Sequence, residues 1–252
     1  MLMTRLLTLT ALLTGLTLAA PAAALDLDAM SEEESAAFGE AVRSYLLENP
    51  QVLMEAIAIL EERQAMEAAA TDAQLVARNA AALFASPLDW VGGNPEGDIT
   101  VVEFIDYRCG FCRRAAPELA ELMEADDNIR LVVKEFPILG EASTMSSRFA
   151  LAGRLVEGDA AYDALHEALT VLRPEPSEAI LVTLADDLGL DGAAIWAEME
   201  NPEVTAVIEA NYELARSMQI SGTPTFVFGD QLVRGFIETE QMEELIEMAR
   251  RR

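Results

Sequence analysis

Apolar positions recur at helical spacing along the first third of this chain. Four of them fall on one helical face: Phe38, Val42, Tyr45 and Leu46. Asn49 followed by Pro50 has the residue types of an N-cap and a first helical turn, which indicates that a second helix starts there. The pattern continues to about Phe84 and predicts a helix of roughly 50 Å at 1.5 Å per residue.

This predicted helix is long for one that packs on a single small domain. Either it folds back on its own core, or residues 25–85 form an arm that associates with other copies. We favour the arm, because an apolar stripe on so long a helix is costly to leave in water.

The pattern changes after the Ser-Pro step at residue 86 and the turn residues 92–95. The β-branched run 99–105 predicts a buried strand, a helix follows to about Glu124, and residues 129–136 predict a second strand. These elements form a β-α-β unit.

The rest of the chain predicts a helical segment followed by a hairpin and a last helix. Residues 141–218 show about four helices separated by Gly and Pro. Residues 225–228 and 231–234 predict strands joined by a two-residue turn, and a helix follows from Thr239. We therefore predict an α/β domain over residues 86–252, interrupted by a helical insert at about 141–218.

The N-terminus has the composition of a secretory signal peptide. Arg5 precedes an apolar run that ends near Ala20, and small residues follow up to Ala24. The run is short for a helix that spans about 30 Å of hydrocarbon. We expect residues 1–24 to be a signal peptide cleaved near Ala24, and the mature protein to be exported.

The chain is strongly acidic, with a formal net charge of −27. Such a surface repels phosphates, so a nucleic-acid partner is disfavoured.

The two cysteines are Cys109 and Cys112, at the predicted junction of a strand and a helix. A disulfide between them would close too small a loop to stabilise the fold much, so the pair favours chemistry over a structural role. The first Cys lies at a helix N-terminus, where the dipole stabilises a thiolate, and the second lies one turn further on. We assign Cys109 as the nucleophile and Cys112 as the resolving thiol.

The surroundings of the pair bear on that assignment. Arg108, Arg113 and Arg114 would favour a Cys109 thiolate, unless they pair with surface carboxylates. Zinc is the main chemical alternative for two such thiols, but a structural zinc ion takes four ligands, and the chain offers only His166 besides. We expect no metal and no cofactor.

These motifs resemble those of the DsbA family of thioredoxin-fold proteins. Pro117 lies where the family kinks the helix after the Cys pair, and Glu103 matches a buried glutamate under the active site. Thr223 and Pro224 match the loop whose cis-proline faces the disulfide. The resemblance implies a thioredoxin fold with a helical insertion, and catalytic roles for these residues beside Cys109 and Cys112.

Two further segments, residues 45–50 and 134–140, resemble the ScsC branch of that family. The resemblance implies a periplasmic homo-oligomer, with a trimer favoured. Its partners would be exported proteins with thiols or disulfides, together with a membrane redox protein of unknown identity.

The residues between the cysteines bear on the direction of reaction. Gly110 and Phe111 resemble the Gly-Tyr of disulfide isomerases more than the Pro-His of the DsbA oxidase. We therefore expect a protein-disulfide isomerase or oxidase. A plain dithiol oxidase and a thiol-based copper-binding protein stay open as alternatives.

Overall fold

The computed structural model describes residues 30–251. The predicted signal peptide, residues 1–24, lies outside the described residues. The chain divides into two compact units, the first ending at Leu60 and the second beginning at Glu61.

The first unit is helical. Helix α1 (Glu32–Glu48) begins with a capping box, in which the Ser31 hydroxyl accepts from the Glu34 backbone N–H and the Glu34 carboxylate accepts from that of Ser31. Helix α2 (Pro50–Phe84) starts where the sequence predicts and continues into the second unit. No described side chain of the first unit is buried. Its exposed large apolar side chains are Phe38, Val42, Tyr45, Leu47, Leu53, Met54, Ile57, Ile59 and Leu60.

The second unit is built on a five-stranded sheet with the order β1-β3-β2-β4-β5. The strands are β1 (Trp90–Gly93), β2 (Ile99–Ile105), β3 (Ile129–Glu135), β4 (Thr225–Phe228) and β5 (Gln231–Arg234). Strands β2 and β3 are parallel, and the other neighbours are antiparallel. Four of these strands agree with the predicted β-α-β and hairpin units.

Strand β1 was not predicted, since Gly92 and Gly93 are typical of a boundary rather than of a strand. It is a four-residue edge strand, paired with β3 and anchored by the buried Trp90, whose ring packs against Tyr162. Gly93 has φ +64, and a side chain there would collide with the Ile129 carbonyl. Gly therefore fits this edge, although it weakens the sequence signal for a strand.

Helix α3 (Gly110–Ala125) joins β2 to β3, and α9 (Thr239–Arg250) ends the fold. The insert contains five helices rather than the predicted four or so: α4 (Glu141–Glu157), α5 (Asp159–Val171), α6 (Glu178–Asp187), α7 (Gly192–Ala197) and α8 (Pro202–Ser217). The additional one is α7, a six-residue helix capped by the Asp191 side chain. It is too short to show a helical period in the sequence.

The two faces of the sheet carry separate hydrophobic cores. The larger core includes both cysteines together with residues of α3, α4, α5 and α9. The smaller core includes Leu75, Val76 and Leu83 of α2. The predicted domain boundary at residue 86 is therefore displaced, because the last part of α2 belongs to the core of the second unit, which begins at Glu61.

Candidate active site

The two cysteines lie at the start of α3, as predicted. Cys109 is the N-cap residue and Cys112 lies in the first turn. Both are free thiols; Cys109 is 7% exposed and Cys112 is completely buried. Of the two cysteines, only Cys109 keeps any exposure to solvent, as is expected of a reactive first cysteine at a helix N-terminus.

The loop before β4 meets Cys109 directly. The Thr223–Pro224 peptide bond is cis, as the resemblance implied. The Cys109 thiol donates a hydrogen bond to the Thr223 carbonyl oxygen at 3.2 Å. Thr225 then pairs with Phe104 on β2, so the sheet itself holds this loop against the cysteine.

Glu103 lies within the sheet, on β2, and is 2% exposed. Burial, and then the charge of Glu135, raise the pKa of Glu103 to about 8. Among the described residues, no Lys, Arg or His forms an ion pair with it. A carboxyl group in this setting is largely protonated near neutral pH.

Lys134 is not the partner of Glu103, although the sequence allowed that pairing. It lies opposite Phe104 on the other face of the sheet, where its ammonium group contacts Asp89 at 2.5 Å and the Ala82 carbonyl at 2.7 Å. Adjacent side chains on a strand point to opposite faces, which separates Lys134 from Glu103.

Cys112 is electrostatically coupled to Glu103. Burial raises the pKa of the Cys112 thiol well above its ordinary value, and the charge of Glu103 raises that pKa further. A Cys112 thiolate is therefore costly here, and the charge of Glu103 adds to that cost.

Two of the three arginines beside the cysteines have structural partners. Arg108 donates to the Leu172 and Pro174 carbonyls and forms an ion pair with Glu175. Arg113 donates to the carbonyls of Tyr107 and Leu172. Both arginines therefore tie the active-site turn to the end of α5.

Arg114 is placed differently. Its guanidinium lies 4.6 Å from the centre of the Phe111 ring and 4.8 Å from that of Phe236. Phe111, between the two cysteines, is 54% exposed. The described residues thus place an exposed aromatic and cationic surface beside Cys109.

Sequence reasoning missed a polar cluster behind the cysteines, centred on Glu135. Its carboxylate accepts hydrogen bonds from Tyr107, Tyr162 and Ser147, and the Tyr107 hydroxyl also contacts His166. His166, considered above only as a possible zinc ligand, thus belongs to this cluster. The available signal was a glutamate at the end of the apolar strand 129–135.

Neither a metal centre nor a membrane-spanning helix emerges from the described part of the chain. Residues 30–251 contain no cluster of three or more His, Cys, Asp or Glu arranged to hold a metal ion. None of the helices described in that range combines the length and apolar character of a membrane span.

Two known protein families match parts of this chain. Residues 100–247 match the DSBA-like thioredoxin domain family, and residues 34–67 match the family described as the copper resistance protein ScsC N-terminal domain. A thioredoxin-like oxidoreductase from Silicibacter pomeroyi is 44% identical, with a TM-score of 0.65, over 68% of this chain and 98% of that one. ScsC of Proteus mirabilis, in a transitional conformation, is 25% identical, with a TM-score of 0.61, over 88% of this chain and 97% of its own.

Among curated proteins, the Na(+)/H(+) antiporter NhaA 3 of Salinispora tropica is 28% identical over 138 residues, or 55% of this chain. The chain spans only about a fifth of that relative, 21% of its length. The family match instead covers β2 to α9, including both cysteines and the cis-proline loop. This chain belongs to the DSBA-like thioredoxin domain family.

Proposed function

We propose that this protein catalyses thiol–disulfide exchange on exported proteins, with Cys109 as nucleophile and Cys112 as resolving thiol. The observation that carries the proposal is the contact between the Cys109 thiol and the Thr223 carbonyl. It joins the helix N-terminus, the cis-proline loop and the more exposed of two free thiols in one site.

The exchange balances without a cofactor. The Cys109 thiolate attacks a substrate disulfide, a Cys109–substrate bond forms, and the second substrate sulfur leaves as a thiolate. In isomerisation that thiolate attacks another substrate disulfide, and a substrate thiolate finally displaces Cys109. Alternatively, Cys112 attacks Cys109, releases the substrate thiol and leaves a Cys109–Cys112 disulfide, so the substrate is reduced by two electrons.

Glu103 handles the proton of Cys112 in this scheme. When a substrate thiolate opens the Cys109–Cys112 disulfide, Cys112 leaves as a buried thiolate and takes a proton from the Glu103 carboxyl group. In the reverse step the Glu103 carboxylate accepts the proton as Cys112 attacks. A pKa of about 8 lets Glu103 populate both forms near neutral pH.

Replacing each cysteine tests the two roles. Cys109→Ser should abolish exchange, because no accessible nucleophile remains. Cys112→Ser should accumulate mixed disulfides between Cys109 and substrate, since no second thiol releases them; non-reducing gels and mass spectrometry would detect these adducts. If Cys109→Ser traps substrate and Cys112→Ser does not, the two roles are reversed.

The direction we propose is isomerisation, with dithiol oxidation as a second activity. Its support is Gly-Phe between the cysteines and Thr before the cis-proline, both resembling disulfide isomerases. Reactivation of scrambled ribonuclease tests isomerisation, and oxidation of reduced ribonuclease tests oxidation. Activity in the second assay alone would identify a plain oxidase.

We further propose that the first unit is an oligomerisation arm and that the protein acts in the periplasm. Residues 34–67 match a ScsC N-terminal family, and the arm leaves a row of large apolar side chains exposed. Association would bring several active sites around one bound substrate and raise the effective thiol concentration. A trimer is our first choice, with a membrane redox protein as a further partner.

The family name at residues 34–67 supports copper binding as a second candidate function. Two reduced thiols one helical turn apart are soft donors of the kind that copper(I) prefers. Titration of the reduced protein with copper(I), with Cys109→Ser and Cys112→Ser as controls, separates the two functions. If both the Cys109→Ser and the Cys112→Ser variants still bind copper(I) as the wild type does, the cysteine pair is not the copper site.

A further inference from the structure

We propose that Glu135 is a positioning residue of the exchange centre, whose carboxylate keeps the neighbouring Glu103 protonated. This inference rests on the proposed role of Glu103 as the proton relay of Cys112. It adds a second buried carboxyl group with a distinct task.

The first support is the way in which Glu135 is held. Its Oε1 accepts from the hydroxyl groups of Tyr162 at 2.6 Å and Tyr107 at 2.7 Å, and its Oε2 accepts from Ser147 at 2.7 Å. These hydroxyls come from α5, the loop after β2, and α4. Three O–H donors on two oxygens favour the ionised carboxylate, which only accepts hydrogen bonds.

The contact between Tyr107 and His166 is consistent with Tyr107 donating its hydrogen to Glu135. The Tyr107 hydroxyl has one hydrogen, and when it donates to Glu135 its oxygen is left to accept from His166 Nδ1 at 3.0 Å. The hydrogen bonds then run from His166 through Tyr107 to Glu135. Burial lowers the pKa of His166 to about 4, so a neutral imidazole supplies this hydrogen near neutral pH.

The second support is where Glu135 lies relative to Glu103. In the parallel pair of β2 and β3, Glu103 is opposite Val133 and Ile105 is opposite Glu135. Alternation along the strands therefore places both carboxyl groups on the same face. Unlike Glu135, Glu103 has no hydroxyl donor among the described residues, so its own anion is poorly stabilised.

Among the described residues, no Lys or Arg forms an ion pair with either carboxyl group, and His166, with its lowered pKa, is neutral near pH 7. Glu135 faces Tyr107, Tyr162 and the carboxylate of Asp106, and Glu103 faces Glu135 and Cys112. Two carboxyl groups at close range in a dry site do not both ionise readily. The better-held Glu135 takes the charge, and Glu103 keeps its proton.

The direction of the pKa shifts agrees with this division. Burial raises the pKa of Glu135 to about 7, against the effect of its three hydrogen bonds. Burial and then the charge of Glu135 raise the pKa of Glu103 further, to about 8. The three hydroxyl donors hold the pKa of Glu135 down, and no donor does so for Glu103, so Glu103 is the last of the two to ionise and remains able to protonate Cys112.

The test follows the titration of Glu103 in the full-length mature protein labelled with ¹³C at the Glu side-chain carboxyl carbon, with Glu103→Gln used for assignment. Glu135→Gln keeps the shape and two hydrogen-bonding atoms but removes the charge. The midpoint of Glu103 should fall by about one pH unit, as expected when a neighbouring like charge is lost. The pH at which the reduction potential of the cysteine couple changes slope should fall with it.

Two further variants serve as a control and as an alternative to Glu135→Gln. The double variant Asp89→Asn, Lys134→Met perturbs a buried pair on the opposite face of β3 and should leave the Glu103 midpoint unchanged. If Glu135→Gln does not fold, Ser147→Ala removes one hydrogen-bond donor, so the midpoint of Glu135 should rise and that of Glu103 should fall.

The outcomes separate this inference from the proposed function. An unchanged Glu103 midpoint in Glu135→Gln, or in Ser147→Ala if only that variant folds, overturns the inference, because the titration requires no thiol exchange. A shift of the same size in the double variant overturns it as well. If Glu135→Gln shifts the Glu103 midpoint but the wild-type protein shows no thiol–disulfide exchange, the inference stands and the proposed function is overturned.

Discussion

The two cysteines of the site differ in their surroundings, and we propose different roles for them. Cys109 is the N-cap residue of α3 and donates to the Thr223 carbonyl in the cis-proline loop, whereas Cys112 lies inside the larger core, where the charge of Glu103 acts on its thiol. In the proposed mechanism, access to solvent selects the attacking thiol, and burial makes the release of Cys112 depend on a proton donor. Replacing Glu103 therefore tests whether this carboxyl group serves the exchange reaction or only the stability of the fold.

Glu103→Gln should slow exchange well beyond any effect on folding, because Cys112 loses its proton partner. Stopped-flow measurement of disulfide exchange, with unfolding measured in parallel, checks this expectation. The exposed Glu96→Gln is a matched control and should change neither quantity. An unchanged rate at an unchanged melting temperature would remove Glu103 from the mechanism.

The same residue gives a pH dependence of stability. The folded pKa of Glu103 is about 8, against 4.5 for an ordinary glutamate, so the folded state holds a proton that the unfolded state releases between these values. The free energy of unfolding of the reduced protein should therefore decrease as pH rises from about 4.5 to 8. In Glu103→Gln the decrease should be shallower, with the part due to Glu135 remaining. Urea unfolding at pH 5 and pH 8 would measure the free energy of unfolding of both proteins. The same decrease between the two pH values in the wild type and in Glu103→Gln would contradict a Glu103 pKa of about 8.

At the level of elements, α2 has two environments along its length. Up to Leu60 its side chains are exposed or half-buried, and further on Leu75, Val76 and Leu83 enter the smaller core. Asp72 and Arg234 add an ion pair between the helix and β5. The end of α2 therefore belongs to the second unit, although the sequence shows one uninterrupted helical pattern.

Leu83→Ala should destabilise the second unit by about 2–5 kcal/mol, the usual cost of a cavity at a fully buried leucine. Leu47→Ala, at a position 64% exposed, should leave the unfolding of that unit unchanged. Denaturant unfolding of both variants, followed by fluorescence, provides the comparison. A large loss of stability in Leu47→Ala but not in Leu83→Ala would contradict the division of α2.

The sequence predicted most elements because their patterns are long or their turns specific. The run 99–105, the Gly229–Asp230 turn and the start of α2 at Pro50 all lie where they were expected. Strand β1 and helix α7 were missed or merged, because four and six residues are too few to show a period. The network around Glu135 depends on contacts between residues 12 to 28 positions apart, which local patterns do not encode.

For the whole molecule, the expected consequence of the arm is association. A chain starting at Glu61 keeps the α2 residues of the smaller core, which a chain starting near Ser86 would lose. It should be a folded monomer that oxidises dithiols but has lost most isomerase activity, because one small site holds a misfolded substrate weakly. Light scattering and scrambled-ribonuclease reactivation measure these properties.

The intact mature protein is the reference for that comparison. It should scatter as an oligomer, with three copies expected, at micromolar concentration. A monomer would refute the arm as an association element. Full reactivation by the shortened monomer would show that association has no part in the chemistry.

The central claim is that Cys109 and Cys112 form a redox-active couple rather than a structural disulfide. The reduction potential of this couple, measured by equilibration with glutathione, tests it most directly. We predict a value between about −270 mV, that of thioredoxin, and about −120 mV, that of the DsbA oxidase. A potential below about −300 mV, in the range of structural disulfides, would contradict the account.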